Sequence, residues 1–189
     1  MKKNKKGFTL IELLAVIIIL GVLMLIAIPS VTEYISSSRK KTYLSSGASF
    51  IQAVRIKVNN GADGLILTNP DYVYYVEVSD VKGEGCVNLE KGGKSPFGTW
   101  ASAYVVVTID TDGMSYAYSF TAKDSAGYGL IPSQEATWTA DNVSPSSGVT
   151  FPTADGAAQM PTTLPTDHKL ASRTEVRLVN KANSCVPAA

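Results

Sequence analysis

GFTLIELLAVIIILGVLMLIAIPS, residues 7–30, is an apolar run that admits a single acidic residue, Glu12. From Leu13 to Ile28 every position is apolar or glycine. As a helix, Phe8 to Ile28 (21 residues) extends about 31 Å at the usual rise per residue, enough to cross the hydrocarbon of a bilayer. A carboxylate at the centre of such a helix costs roughly 2.5–3.5 kcal/mol on insertion scales. A plain signal-anchor helix offers no reason to keep Glu12, so a partner that offsets its cost is expected.

Outward from this run the chain changes character. Lys2, Lys3, Lys5 and Lys6 precede it and belong on the cytoplasmic side of a membrane. A cleavable secretory signal is the competing reading, but the apolar run is long for one and no small-x-small cleavage site follows it. The remainder is rich in Ser, Thr, Gly, Asn and Asp. Without the four leading lysines, 13 basic residues face 16 acidic ones, which leaves no basic excess for nucleic acid. The 189-residue length fits one modest domain plus an appendage.

Beyond Pro29, the positions Val31, Tyr34, Ile35, Leu44, Ala48, Ile51, Val54 and Val58 fall near helical spacing. Asn59-Asn60-Gly61 is a stop signal. The pattern predicts one long helix over about 8–59, apolar all round in its first half and amphipathic in its second. Gly21 and Pro29 weaken it, so the stretch between them is where it should bend or melt. YVYYVEV (72–78) reads as a strand. Ala103, Val105, Val107 and Ile109 alternate with Tyr104, Val106 and Thr108, and Met114, Tyr116, Tyr118 and Phe120 continue the alternation beyond the Asp110–Gly113 turn. That is a hairpin. TEVRLV (174–179) reads as a last strand, and the Pro-, Ser- and Thr-rich stretch 132–167 as a long surface loop. The expected class is α+β: a head on a protruding stalk, with one face of a small antiparallel sheet buried on the amphipathic half-helix.

The stretch Gly7-Phe8-Thr9-Leu10-Ile11-Glu12 resembles the class III signal of the type IV pilin superfamily. The short basic leader ending in Gly7, the apolar helix, and Gly21 and Pro29 within it complete the resemblance. GKSPFGTWASAYVVV also looks like the loop and hairpin of pilins from Gram-positive bacteria. The resemblance implies the type IV pilin fold, divided into a leader 1–7, a membrane-spanning and filament-core helix 8–29, and a head 30–189. It also implies cleavage between Gly7 and Phe8 by a prepilin peptidase and N-methylation of Phe8. Glu12 then has a candidate partner, the charged Phe8 amine of a neighbouring subunit. The other partners implied are an assembly ATPase, a membrane platform protein and further copies of the chain in a helical filament. The implied location is the cytoplasmic membrane before assembly and a surface pilus afterwards. No cofactor is implied.

Other motifs carry less. Gly93-Lys94-Ser95 ends like a phosphate-binding loop, but Asn88 stands where that pattern needs glycine. Asp110-x-Asp112-Gly113 lacks the later Glu of a calcium loop. His168, beside Asp167, has no second histidine to share a metal. Tyr72, Tyr74 and Tyr75 fit strand packing, and Asn142-Val143-Ser144 matches a glycosylation acceptor in form alone. Arg39, Lys40 and Lys41 are either a solvated helix face or partners for neighbouring subunits. Cys86 and Cys185 could close a loop of 100 residues if the head is exported; two unpaired thiols are the alternative. No nucleophile–base pairing is legible, so the reading is a structural pilin subunit and not an enzyme. A pseudopilin of a secretion or DNA-uptake system is the nearest rival, and a non-polymerising membrane-anchored adhesin is the one from another class.

Overall fold

The computed structural model describes residues 7–60, 65, 67–78, 86–87, 94–110, 113–133, 135–145, 151 and 175–179. The chain divides into two units, Met1–Ser38 and Arg39–Ala189. Helix α1, Leu10–Asn60, contributes to both.

In the first unit every described helical residue from Leu10 to Ile35 is exposed, so this stretch has no core of its own. It is long and apolar enough to cross a membrane. The helix continues through Gly21 and Pro29 and does not melt between them. Hydroxyls flank the proline: Ser30 Oγ donates to the Ala27 carbonyl (2.9 Å) and Thr32 Oγ1 to the Ile28 carbonyl (2.8 Å). Both bonds turn a polar side chain back onto its own helix, which suits an apolar surrounding.

In the second unit α1 buries Tyr43, Gly47, Phe50, Ile51 and Val54, one stripe at helical spacing. Of the positions expected on that stripe, Ile51 and Val54 lie in it and Leu44 and Val58 border it; Val31, Tyr34 and Ile35 are exposed. The stripe faces a sheet that has, among the described residues, seven strands: β1 Tyr72–Glu77, β2 Lys94–Ser95, β3 Gly98–Ile109, β4 Tyr116–Asp124, β5 Tyr128–Ser133, β6 Ser144–Pro145 and β7 Glu175–Val179. Their order is β6-β5-β4-β3-β1-β7, with β2 paired to β3. The expected hairpin is β3–β4, in register Val107↔Tyr118 and Val105↔Phe120. Its turn is closed by Gly113 N–H donating to the Asp110 carbonyl (2.9 Å), with Gly113 at φ +70°, where glycine is favoured.

The α+β class stands, with three differences. The sheet is mixed, because β7 runs parallel to β1 (Tyr74↔Arg177). A hairpin can only yield antiparallel neighbours, so an alternating pattern in β3 and β4 says nothing about a strand that arrives from far along the chain. Both faces of the sheet are buried: Val73, Tyr75, Tyr104, Val106, Val176 and Leu178 form a second apolar cluster, with Phe151 packed on it. Finally, part of the expected loop 132–167 is structured. It holds the end of β5, two 3-10 turns (Glu135–Thr137 and Ala140–Asn142) and β6. Within it Val143 is fully buried.

Helix and sheet approach closely at Gly47. A Cβ there would lie 2.5 Å from Phe120 Cδ1 and 3.0 Å from Trp138 Cη2. Phe120 is itself fully buried and cannot swing away, so no larger residue fits without displacing the core. Asp124 braces the adjacent turn. Its Oδ1 accepts from the amides of Ala126 (3.0 Å) and Tyr128 (2.9 Å), and its Oδ2 accepts from Ser95 Oγ (2.9 Å). This buried carboxylate joins β2 to the β4–β5 turn, and three donors compensate its lost hydration.

Candidate functional site

Glu12 lies in the first turn of α1, not at mid-span, because the helix begins at Leu10. Thr9 precedes it as the capping residue. The Thr9 backbone N–H donates to Glu12 Oε2 at 2.8 Å, and the Thr9 hydroxyl donates to the same oxygen at 2.8 Å. In return the Glu12 N–H reaches Thr9 Oγ1 at 3.4 Å. The first helical bond, from Leu13 N–H to the Thr9 carbonyl, measures 3.2 Å. Thr9-x-x-Glu12 is thus a reciprocal capping box, which satisfies donors that a helix start leaves open.

That contact bears directly on the cost of the carboxylate. Placed in the first turn, Glu12 sits at the positive end of the helix dipole and near one edge of the apolar run. Sequence reasoning looked for its partner on another subunit and passed over Thr9. The signal was present in the spacing of a hydroxyl residue three positions before a glutamate.

Gly7 and Phe8 precede the helix and are exposed, Phe8 by 88%. The Gly7–Phe8 junction and Glu12 therefore share one accessible segment of chain. Gly21 and Pro29 lie within α1, as described above.

The remaining candidates fall elsewhere. Lys94 and Ser95 form β2, a strand leading into a turn and not into a helix, so the phosphate-loop pattern has no structural support. Tyr72 and Tyr74 pack toward α1 and Tyr75 toward the opposite face, as strand alternation requires. Arg177 stacks over the Tyr72 ring at 4.6 Å. Asn142 Oδ1 accepts from Thr139 N–H (2.6 Å) and Thr139 Oγ1 (3.0 Å), a local cap. Arg39 and Lys41 are exposed and Lys40 half-buried, with no ion pair to any of them among the described residues. Gly93, Asp112, Asp167 and His168 lie outside the described residues. Among the described residues no cluster of His, Cys, Asp and Glu could hold a metal.

Cys86 is buried and disulfide-bonded, its Sγ 3.3 Å from the Val179 carbonyl oxygen. Cys185, the expected partner, lies outside the described residues. If the two are bridged, alkylation of the exported protein without reductant should label neither thiol. Reduction should then lower head stability by about 4–5 kcal/mol on the chain-entropy model. Labelling of both cysteines in the unreduced protein would remove the bridge.

Comparison with known proteins finds a family match at the same end of the chain and relatives similar over part of it. Residues 2–28 match the family described as the prokaryotic N-terminal methylation motif. The type IV major fimbrial protein FimA of Dichelobacter nodosus is 40% identical over 72 residues, 38% of this chain and 42% of that protein. The ComG operon protein 3 homolog of Bacillus licheniformis is 53% identical over 38 residues, 20% of this chain and 39% of that protein. These matches span less than half of either relative's length. No solved structure matches.

Proposed function

We propose, for a chain whose N-terminal segment is that of the type IV pilin superfamily, that the whole protein is a structural subunit that polymerises through its N-terminal helix into a surface filament. The observation that carries this reading is Glu12. An acidic residue stands in the first turn of α1, whose stretch 10–28 is otherwise apolar and exposed throughout. An isolated soluble protein has no use for such a helix, and the cap that Glu12 gives Thr9 in a single chain could be made equally by an uncharged glutamine, so capping alone does not call for a charge beside Phe8. A filament core uses both: apolar helices bury one another, and each Glu12 meets a Phe8 amine.

In this reading, residues 1–7 are a leader removed by a prepilin peptidase at Gly7–Phe8, and Phe8 is then N-methylated. The helix holds the subunit in the cytoplasmic membrane until an assembly ATPase and platform protein add it to the filament. The head displayed on the filament is built as an α+β fold and serves structure, not catalysis. Mass spectrometry of the N-terminal peptide tests the processing step. The expected result is a mature chain beginning at N-methyl-Phe8; a chain that begins at Met1, or one cut beyond Ile28, defeats the proposal.

A pseudopilin of a secretion or DNA-uptake system is the second reading, since the N-terminal methylation segment at residues 2–28 would serve it equally. Electron microscopy of intact cells separates them. Long surface filaments lost on deleting this chain support the pilus, and their persistence supports the pseudopilin.

A further inference from the structure

We infer that Tyr34 anchors the waiting subunit at the outer boundary of the membrane and thereby sets the depth of the Gly7–Phe8 junction at the opposite boundary. The inference rests on the reading above, in which α1 holds the subunit in a membrane until assembly, and names the lipid contact that fixes its height. The apolar run fixes height poorly by itself. From Leu13 to Ile28 every residue is apolar or glycine, so sliding the helix by a residue or two exchanges one apolar side chain for another. Depth is set by residues at the boundaries instead.

Beyond Pro29 the helix continues, and Val31, Tyr34 and Ile35 fall on one face at i, i+3 and i+4. All three are exposed, Tyr34 by 76%, and none belongs to an apolar cluster among the described residues. Glu33 stands on the opposite face and is exposed as well. Thr32 turns its hydroxyl onto the Ile28 carbonyl at 2.8 Å, so it needs no water. An apolar side for acyl chains and a charge for water are what a helix turn needs at a membrane surface. Tyrosine suits that level, because its ring is apolar and its hydroxyl tip can stay wet.

The spacing favours lipid over a second copy of the chain as what covers this face. Tyr34 follows Glu12 by 22 residues, about 33 Å along the helix and about 31 Å at the usual 20° tilt. The hydrocarbon core is about 30 Å thick. With Tyr34 at its outer edge, Glu12 reaches the inner edge and Phe8 enters the inner headgroup layer. A peptidase acting from the cytoplasmic side meets the Gly7–Phe8 junction there. A contact between helices has no reason to set an aromatic ring one hydrocarbon thickness from Glu12.

Fluorescence of Tyr34→Trp tests the anchor. The full uncleaved chain is reconstituted at high dilution in vesicles of equimolar phosphatidylglycerol and phosphatidylethanolamine. The wild-type emission, from Trp100 and Trp138, is subtracted. The added emission should be quenched several-fold more by lipids brominated near the headgroup than by lipids brominated near the chain ends. In cells, cleavage at Gly7–Phe8 after a pulse of synthesis should slow about fivefold in Tyr34→Ala, the scale of one partly buried ring. It should recover in Tyr34→Trp, which restores an interfacial ring. Added emission that neither lipid quenches overturns the inference, whether the new ring lies in water or, at raised protein density, against a second copy. Wild-type cleavage of Tyr34→Ala overturns it too. Shallow quenching together with a wild-type chain that is never cut at Gly7–Phe8 supports the anchor and defeats the processing reading instead.

Discussion

Replacing Glu12 with alanine is expected to abolish filaments while leaving the subunit in the membrane. Insertion should be unchanged or slightly improved, because a polar group has been taken out of an apolar helix. Assembly fails for a different reason. In the proposed filament core the neighbour's Phe8 amine is buried, and removing the carboxylate leaves that charge without a partner. Breaking one member of a buried pair costs about 3–5 kcal/mol, a factor of a hundred or more in an equilibrium. Glu12→Ala also removes the acceptor for the Thr9 amide and hydroxyl, so the helix start loses its cap in the same step. Glu12→Gln should fall in between, since it keeps an acceptor for Thr9. The measurement compares sheared surface filament with the membrane pool of each variant, with Gly7–Phe8 cleavage checked in parallel. Wild-type filament yield from correctly cleaved Glu12→Ala protein would falsify the pairing.

The second large effect lies in the head. Trp100 is 2% exposed and stands edge-on to Tyr43 (4.6 Å between ring centroids), Phe50 (6.0 Å) and Phe120 (6.2 Å). It touches two residues of the helix stripe and the central β4 residue opposite them. Trp100→Ala should therefore destabilise the head by about 3–5 kcal/mol, through lost burial and the cavity left behind. That is a large part of the roughly 5–15 kcal/mol that holds an ordinary domain together. Denaturant unfolding of the full chain in detergent, followed through the fluorescence of Trp138, gives the number. A shift below about 1 kcal/mol would show that the cluster does not carry the helix–sheet contact. Tyr43→Phe is the matched control. The Tyr43 hydroxyl is buried with no hydrogen-bond partner among the described residues, and burial together with the nearby Asp124 carboxylate raises its pKa above the usual phenol range. Removing that hydroxyl should be neutral or stabilising.

The two predictions differ in how far the residues involved announced themselves. Glu12 stands out because a charge within an apolar run contradicts its surroundings. Its local partner Thr9 did not, since a threonine before a helix is unremarkable until the hydrogen bonds are seen. Trp100 lay outside the alternation used to recognise the hairpin, yet β3 begins at Gly98 and carries it into the core across an irregularity between Trp100 and Ser102. A register shift of that kind resets which face a residue occupies, and alternation counted from one end cannot foresee it.

Properties that depend on near neighbours in the chain were determined by the sequence alone. These are the long apolar helix with Glu12 near its start, the continuation of that helix to Asn60, and the β3–β4 hairpin around Gly113. Periodicity, hydropathy and turn chemistry act over a few residues, so they can be read directly. Tertiary structure decided what distant segments do to each other. It set β7 parallel beside β1, buried the second face of the sheet, and chose Tyr43, Gly47 and Phe50 for the helix stripe. Gly47 shows why. Nothing near it in sequence demands glycine, and the demand comes from Phe120 and Trp138, more than seventy positions away, occupying the space a side chain would need. Close packing is a property of surfaces brought together by the fold, and it has no signature in either segment alone.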